Sequence, residues 1–385
     1  MINKINVCLD FNKIAPLNRW HNGLFTNNLF GDDVFNLIKW DDFNEEENNF
    51  LFLYCVPDET VEFLQGMNSN FYNTIKKKNV KLLFQNEQFN LFMFDGNIFD
   101  YVPDIKHNCY DINNILYWKI TNLLKKHDIG EEHLFFVHSS KGFLQEIKQM
   151  QQRKILWINS TLNLKSKHLQ FNNNLEWGRR QKVIVDKKLR YHYACLYANR
   201  PARHRHYLIK KLHEKNLLNF GKCSLKPCPD FGDTYQLPMD DLLPKGKPNT
   251  HITNTLYQET DVFRDIFLWV AAETYCPNGY PYFTEKTVKP IMYKRPFISY
   301  GNPGTLTYLR DCGFKTFDNF WDESYDDEKD DDKKIDMITD IIENLCQKNI
   351  NELDQLYGQM ESILEFNKNL LIKTHWRHDL IKFLS

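Results

Sequence analysis

The chain of 385 residues is short of several things, and each shortage excludes a class of function. It has almost no net charge: 49 Lys and Arg against 50 Asp and Glu leave a formal −1. Non-specific nucleic-acid binding needs a basic face, so nucleic acid is not the expected partner. No apolar run approaches the roughly 18 residues of a membrane span, so none is expected. The opening "MINKINVCLDF" reads as a short strand pattern containing lysine rather than a signal sequence. The nine cysteines are odd in number and scattered, several inside apolar runs such as "LFLYCV" and "YACLYA". They read as buried thiols of a reduced, cytoplasmic compartment rather than a disulfide framework. Cys223 and Cys228 stand alone as C-x4-C, without a second pair or a histidine doublet, so no metal site is expected. No internal repeat is visible.

What is present is ample core material. Hydrophobic residues make up 42% and aromatics 15%, and the length exceeds what one core usually serves, so two domains are expected. In the first half, residues 5–11, 49–56, 80–85, 133–139 and 154–159 are apolar runs of strand length. Helical patterns such as "ETVEFLQGM" and "NILYWKITNLLKKH" separate them. This alternation predicts a doubly wound parallel sheet. The asparagine-rich stretch 171–180 breaks the period and reads as the edge of a linker. The grammar then restarts with strands at 191–198, 265–274 and 296–300, a strand-like "KTF" at 315–317 and helices between them. The stretch 322–334, "DESYDDEKDDDKK", reads as a solvated acidic loop. Three helical patterns at 335–347, 350–367 and 369–384 close the chain. The expected fold is α/β with two Rossmann-like domains, 1–178 and 179–368, and a C-terminal helix, 369–385, packing back on the first.

The stretch 282–301, "YFTEKTVKPIMYKRPFISYG", joins a polar triplet, a helix and a short apolar strand ending in glycine. In a sheet-and-helix domain this is how a ligand-binding corner is built. Lys286 in the first helical turn opposes the helix dipole, which an anionic ligand would excuse. Thr284 followed by Glu285 has a plainer reading as an N-cap and a first-turn acid. Upstream, "NRPARHRHYLIKKL" is a basic turn opening a helix. Its arginines suit phosphate oxygens or, more plainly, a solvated helix start. His204, His206 and His213 read as surface histidines.

The string from Ala272 to Asp326, together with "LYANRPARHRHYLIKKL" from Leu196, resembles the donor-binding half of two-domain GT-B glycosyltransferases. It is similar above all to the fucosyltransferase-like group. It also resembles uncharacterised glycosyltransferase-like proteins of marine phages, which would put a viral chain in the host-cell cytoplasm. The resemblance covers about the last half of the chain. It implies two domains facing a cleft and transfer of a sugar from a nucleotide diphosphate sugar to a glycan or other saccharide hydroxyl. It further implies inversion, no bound metal, no cofactor beyond the co-substrate, and a GDP-linked donor in preference to a UDP-linked one. On this reading Arg200, Arg203, Arg205 and Lys286 clamp the diphosphate beside free amides of the helix end. Glu273 and Glu285 accept from ribose or sugar hydroxyls, and Thr274, Tyr282, Thr284 and Lys289 complete the donor side. A general base is expected from the first domain. Glu87, at the end of "VKLLFQ", is the first choice and Asp10 and His21 the next. The alternatives are a phage-type DNA-base glycosyltransferase and a non-catalytic nucleotide- or glycan-binding protein on the same fold.

Overall fold

A computed structural model describes residues 5–8, 35–43, 48–54, 57–86, 116–138, 167–170, 172–181, 183, 186–197, 203–225, 260–273 and 281–385. The chain divides into two compact units, Met1–Asn173 with His375–Ser385, and Asn174–Thr374.

The first unit runs β1 (Ile5–Cys8), β2 (Phe35–Ile38), β3 (Asn49–Tyr54), α1 (Pro57–Gly66), α2 (Ser69–Lys77), β4 (Lys81–Asn86), α3 (Leu116–Lys125), β5 (Leu134–His138) and β6 (Lys167–Gln170). Its sheet has the order β2-β1-β3-β4-β5-β6, and every pairing is parallel. The central strands are apolar on both faces because both are covered. Leu51, Leu82, Phe84 and Phe136 pack with Leu64, Tyr72 and Leu124 of the helices. Phe50, Phe52, Leu83 and Phe135 face the other way and meet Leu380 and Leu384 of the terminal helix. That return of the C-terminus was expected from the sequence. Polar residues inside the sheet are satisfied sideways: Asn36 donates to Asn6 at 3.0 Å and Asn6 to Asn49 at 3.1 Å, across three neighbouring strands.

Strands β2, β6 and the later β8 have sequences FNLI, KHLQ and GKCSL, too polar to stand out as apolar runs. The expected strand at 154–159 lies outside the described residues.

The second unit runs α4 (Asn173–Arg180), β7 (Tyr191–Tyr197), α5 (Arg203–Glu214), β8 (Gly221–Leu225), a helical turn at 260–265, β9 (Ile266–Ala272), α6 (Glu285–Met292), β10 (Phe297–Tyr300), α7 (Thr305–Asp311), α8 (Asp331–Cys346) and α9 (Ile350–Lys373). α10 (His378–Leu384) is the terminal helix of the first unit. The sheet is parallel with order β10-β9-β7-β8, so the strand order reverses between β7 and β9. At such a reversal the crevice beyond the carboxyl ends of the strands is the usual ligand site. Two Rossmann-like α/β units are therefore present. Among the described residues no helix is long and apolar enough to cross a membrane.

Three readings of the sequence are corrected here. Residues 171–180 are not a linker edge throughout: 173–180 form α4, with Leu175 and Trp177 buried. A Cβ on Gly178 would stand 2.4 Å from Val288 Cγ1, so α4 packs tightly into the second unit and the compact units divide at 173/174 rather than 178/179. The segment "KTF" is not a strand. Side chains complete its backbone instead: the Lys315 N–H donates to Asn367 Oδ1, Asn367 Nδ2 donates to the Lys315 carbonyl, both at 2.8 Å, and the Phe317 N–H donates to Glu323 Oε1 at 2.8 Å. The acidic stretch is not solvated throughout: most of it is exposed, but Glu323, Tyr325, Asp326 and Lys334 are buried. Its acids cap helices: Asp330 accepts from the Asp332 and Lys333 amides at the start of α8.

Candidate functional site

Glu273 stands at the carboxyl end of β9, immediately after Ala272, and is wholly buried. Its carboxylate organises the start of α6. Oε1 accepts from the Thr284 amide at 3.0 Å, the Thr287 amide at 3.2 Å and the Thr287 hydroxyl at 2.7 Å, and Oε2 accepts from the Thr284 hydroxyl. The Thr287 hydroxyl gives its proton to Glu273, so the Ser299 hydroxyl on β10, 3.0 Å away, is the donor in their contact. Burial pushes the Glu273 carboxyl up, against the pull of the Lys286 ammonium and of the Thr284 hydrogen bonds.

The rest of α6 is fixed as firmly. Pro290 lies inside the helix and has no N–H to give the Lys286 carbonyl four residues back. The indole N–H of Trp269 on β9 supplies it instead, at 3.1 Å. At the far end the buried Arg295 guanidinium donates to the Tyr293 and Lys294 carbonyls at 3.3 and 3.0 Å, a cation where the helix dipole favours one.

The amides at the start of α6 are engaged from within. Those of Thr284 and Thr287 bond Glu273, and that of Lys286 bonds the Thr284 hydroxyl at 3.2 Å. This corrects the expectation of free amides waiting for a diphosphate. What the helix start presents outward is a pair of side chains, Glu285 at 19% and Lys286 at 26% side-chain exposure. The Lys286 ammonium donates to Glu285 Oε1 at 3.0 Å and to the Thr284 hydroxyl at 3.1 Å. Burial would raise the Glu285 carboxyl, but the ammonium groups of Lys286 and Lys289 outweigh it and hold it at about 2. Glu285 is therefore ionised across the physiological range.

The structure brings the basic turn and the α6 corner together. α5 starts beside the end of β9: His204 Nε2 lies 3.0 Å from the Glu273 carbonyl, and Arg205 Nη2 donates to the Ala272 carbonyl at 3.0 Å. Both side chains are buried, as is His206, which corrects the reading of His204 and His206 as surface residues; His213 is exposed. Burial and the neighbouring Arg205 charge drive the His204 imidazole down to about 3, so it is neutral and donates through Nε2. Arg205 thus braces the strand end rather than projecting into solvent. Arg203 opens α5, and Lys289 and Tyr282 are buried within the corner. Arg200, Thr274, Glu87, Asp10 and His21 lie outside the described residues.

The neighbouring loop after β10 was not anticipated. Gly301 has no Cβ because one would stand 2.9 Å from Thr305 Oγ1 and 3.4 Å from Glu273 Cβ, so glycine lets the two loops close on each other. Asp326 accepts from the Leu306 amide at 3.0 Å and the Thr307 amide at 3.2 Å, capping α7 from 20 residues away. The buried Lys334 ammonium donates to the Gly301 carbonyl at 3.1 Å; burial lowers its affinity for the proton, and Asp326 opposes that only in part. The acidic run in the sequence masked this role, because Asp326 looks like its solvated neighbours.

No family model matches the chain, and no curated protein matches it. Among solved structures it is similar to the T4 phage β-glucosyltransferase in complex with UDP-glucose, at 8% identity and a TM-score of 0.44 over 99% of each chain. The same phage enzyme with UDP and Mn2+ aligns at 9% identity and a TM-score of 0.45, again over 99% of each chain. An α1,3-fucosyltransferase with GDP aligns at 13% identity and a TM-score of 0.34, over 98% of this chain and 93% of that one.

Proposed function

We infer that the chain is a glycosyltransferase that moves a sugar from a nucleotide diphosphate sugar to a hydroxyl of a glycan or other saccharide. One observation carries the reading. The Glu285–Lys286 pair, partly exposed, sits on a helix start whose own amides and caps are satisfied internally, at the carboxyl end of a parallel sheet whose strand order reverses. A fold that needed only an N-cap has Thr284 and Glu273 for that purpose. A first-turn lysine opposes the helix dipole and suits an anionic ligand.

In this mechanism the leaving nucleoside diphosphate gains negative charge as the glycosidic bond breaks, and a fixed cation stabilises that state more than the ground state. Lys286 is that cation, held by Glu285 and Thr284 so that little reorganisation is needed. Glu285, ionised, accepts from a ribose or sugar hydroxyl. Glu273, Thr284, Thr287 and Arg205 are positioning residues: they fix the helix start and the strand end and need not touch the donor. Lys289 keeps Glu285 charged. Arg200 and Arg203 add charge toward the diphosphate, and the general base comes from Glu87, Asp10 or His21. Inversion, metal independence and a GDP-linked donor follow from the family resemblance in "YFTEKTVKP" and its flanks.

The test is a panel of GDP- and UDP-linked sugars read by thermal shift and donor hydrolysis. A true donor binds the native state alone and raises Tm by mass action, by about 2.7 kcal/mol of stability at a hundredfold excess over Kd. Hydrolysis of one donor that persists with excess chelator is the expected result. No shift and no hydrolysis with any donor removes the transferase reading.

A further inference from the structure

The second unit holds a pocket that the α6 corner does not use. It has a volume of about 550 Å3 and lies between the 319–322 turn, the C-terminal half of α8 and the start of α9. That size falls in the range of small-molecule sites. Its floor is apolar, from Trp321, Ile341 and Leu345, all buried, with Phe320 and Met337 partly exposed above them.

The polar groups around that floor are of one kind. Asn319, Asn344 and Gln359 line the pocket, are exposed, and make no hydrogen bond or ion pair among the described residues. The carboxylates beside them are already engaged: Asp322 accepts from the Ser324 amide at 2.9 Å and hydroxyl at 2.8 Å, and Asp340 pairs with Lys215 at 2.7 Å. Lys348 is the remaining charged side chain of the lining. A second observation concerns Trp321 itself. It is 8% exposed, and its buried indole N–H has no acceptor, whereas a buried indole N–H ordinarily finds one.

A carboxamide offers a donor and an acceptor side by side, which matches a hydroxyl that must both give and take a proton. Three of them around an aromatic and aliphatic floor suit a neutral ring with hydroxyls at its edge and C–H groups on its face. An anionic ligand would call for cations instead, and a metal for free carboxylates. We propose that this pocket is a saccharide-binding subsite, separate from the donor corner, that holds a sugar ring of an extended glycan. Binding follows from the lining alone; service as an anchor for the acceptor rests on the transferase reading above.

The full chain labelled with 5-fluorotryptophan gives fluorine resonances for its eight tryptophans, with Trp321 assigned from Trp321→Phe. Glucose, galactose, mannose, fucose and N-acetylglucosamine are titrated in turn, followed by the four common nucleosides. At least one sugar is expected to move the Trp321 resonance saturably, and Asn344→Ala and Gln359→Ala, both exposed and safe for folding, each to weaken that binding about fivefold or more. Lys286→Ala is expected to leave the titration unchanged, which separates this site from the donor corner. No saturable shift with any sugar, an affinity unchanged from the parent in both carboxamide variants, or a response to nucleosides alone would overturn the proposal. Sugar binding with no donor bound anywhere would leave the subsite standing and remove only its anchoring role.

Discussion

The starts of α6 and α7 are built alike and present different surfaces. Each is capped by a buried carboxylate from a distant point in the chain, Glu273 for α6 and Asp326 for α7. Beyond that they diverge. α6 begins with Thr284, whose hydroxyl caps the helix, followed by the charged Glu285 and Lys286. α7 begins with Gly304, in the left-handed region at φ +82, followed by the neutral Thr305, Leu306 and Thr307. A buried cap is a feature of the scaffold; a charge pair left partly exposed upon it is also within reach of a ligand. The contrast separates what holds the corner from what the corner offers.

The largest expected effects break what the two starts share. Asp326→Ala removes the acceptor of two α7 amides and takes from the buried Lys334 ammonium the largest of its opposing charges, which costs about 3 kcal/mol. Glu273→Ala orphans the donors of Thr284 and Thr287 and costs about 3 kcal/mol. Urea unfolding reads both. Only the Glu273 variant should also lose nucleoside diphosphate binding, and equal retention of binding in the two would erase the distinction between the helix starts.

Next comes Glu285→Gln, whose cost depends on pH. The folded carboxyl sits at about 2, below its ordinary value, so its charge contributes stability that is present above the unfolded value near 4.5 and lost as pH falls toward 2. At neutral pH the variant should be less stable by about 2–3 kcal/mol, with the gap closing between pH 4.5 and 2. Transfer should be disabled at a temperature where the variant remains folded. Glu273 carries the opposite sign, since burial raises its carboxyl: its charge is a cost that grows as pH rises from the unfolded value through the folded one. A gap for Glu285→Gln that does not narrow in acid would show that its ion pair with Lys286 does not set the titration.

Lys286→Ala should weaken nucleoside diphosphate binding by about 1.5–3 kcal/mol, the range for charge-assisted hydrogen bonds, and lower stability by up to about 2 kcal/mol, because Lys286 is one of the two ammonium groups that hold the Glu285 carboxyl down. Calorimetric titration beside thermal unfolding reads the two. Unchanged affinity would return Lys286 to the scaffold. The smallest effect is Gly304→Ala, about 1–2 kcal/mol for a Cβ in the left-handed region, with donor binding untouched.

The sequence by itself determined the α/β alternation, because strands buried on both faces must read as unbroken apolar runs: "NFLFLY", "LLF", "LFFV" and "IFLWVAA" announce β3, β4, β5 and β9. It also fixed the position of the "TEK" turn, since an N-cap and its helix are local in the chain. Only the tertiary structure decided which charges are spare. Glu273 and Glu285 look equivalent in sequence, yet one has four donors around it and the other meets Lys286 near solvent. His204, Arg205 and Asp326 look like surface residues, yet each lies buried against a backbone group brought from 20 to 69 residues away. Local pattern carries periodicity and caps; burial and hydrogen-bond partnership are set by which distant segments the sheet places side by side, and no window of sequence contains both.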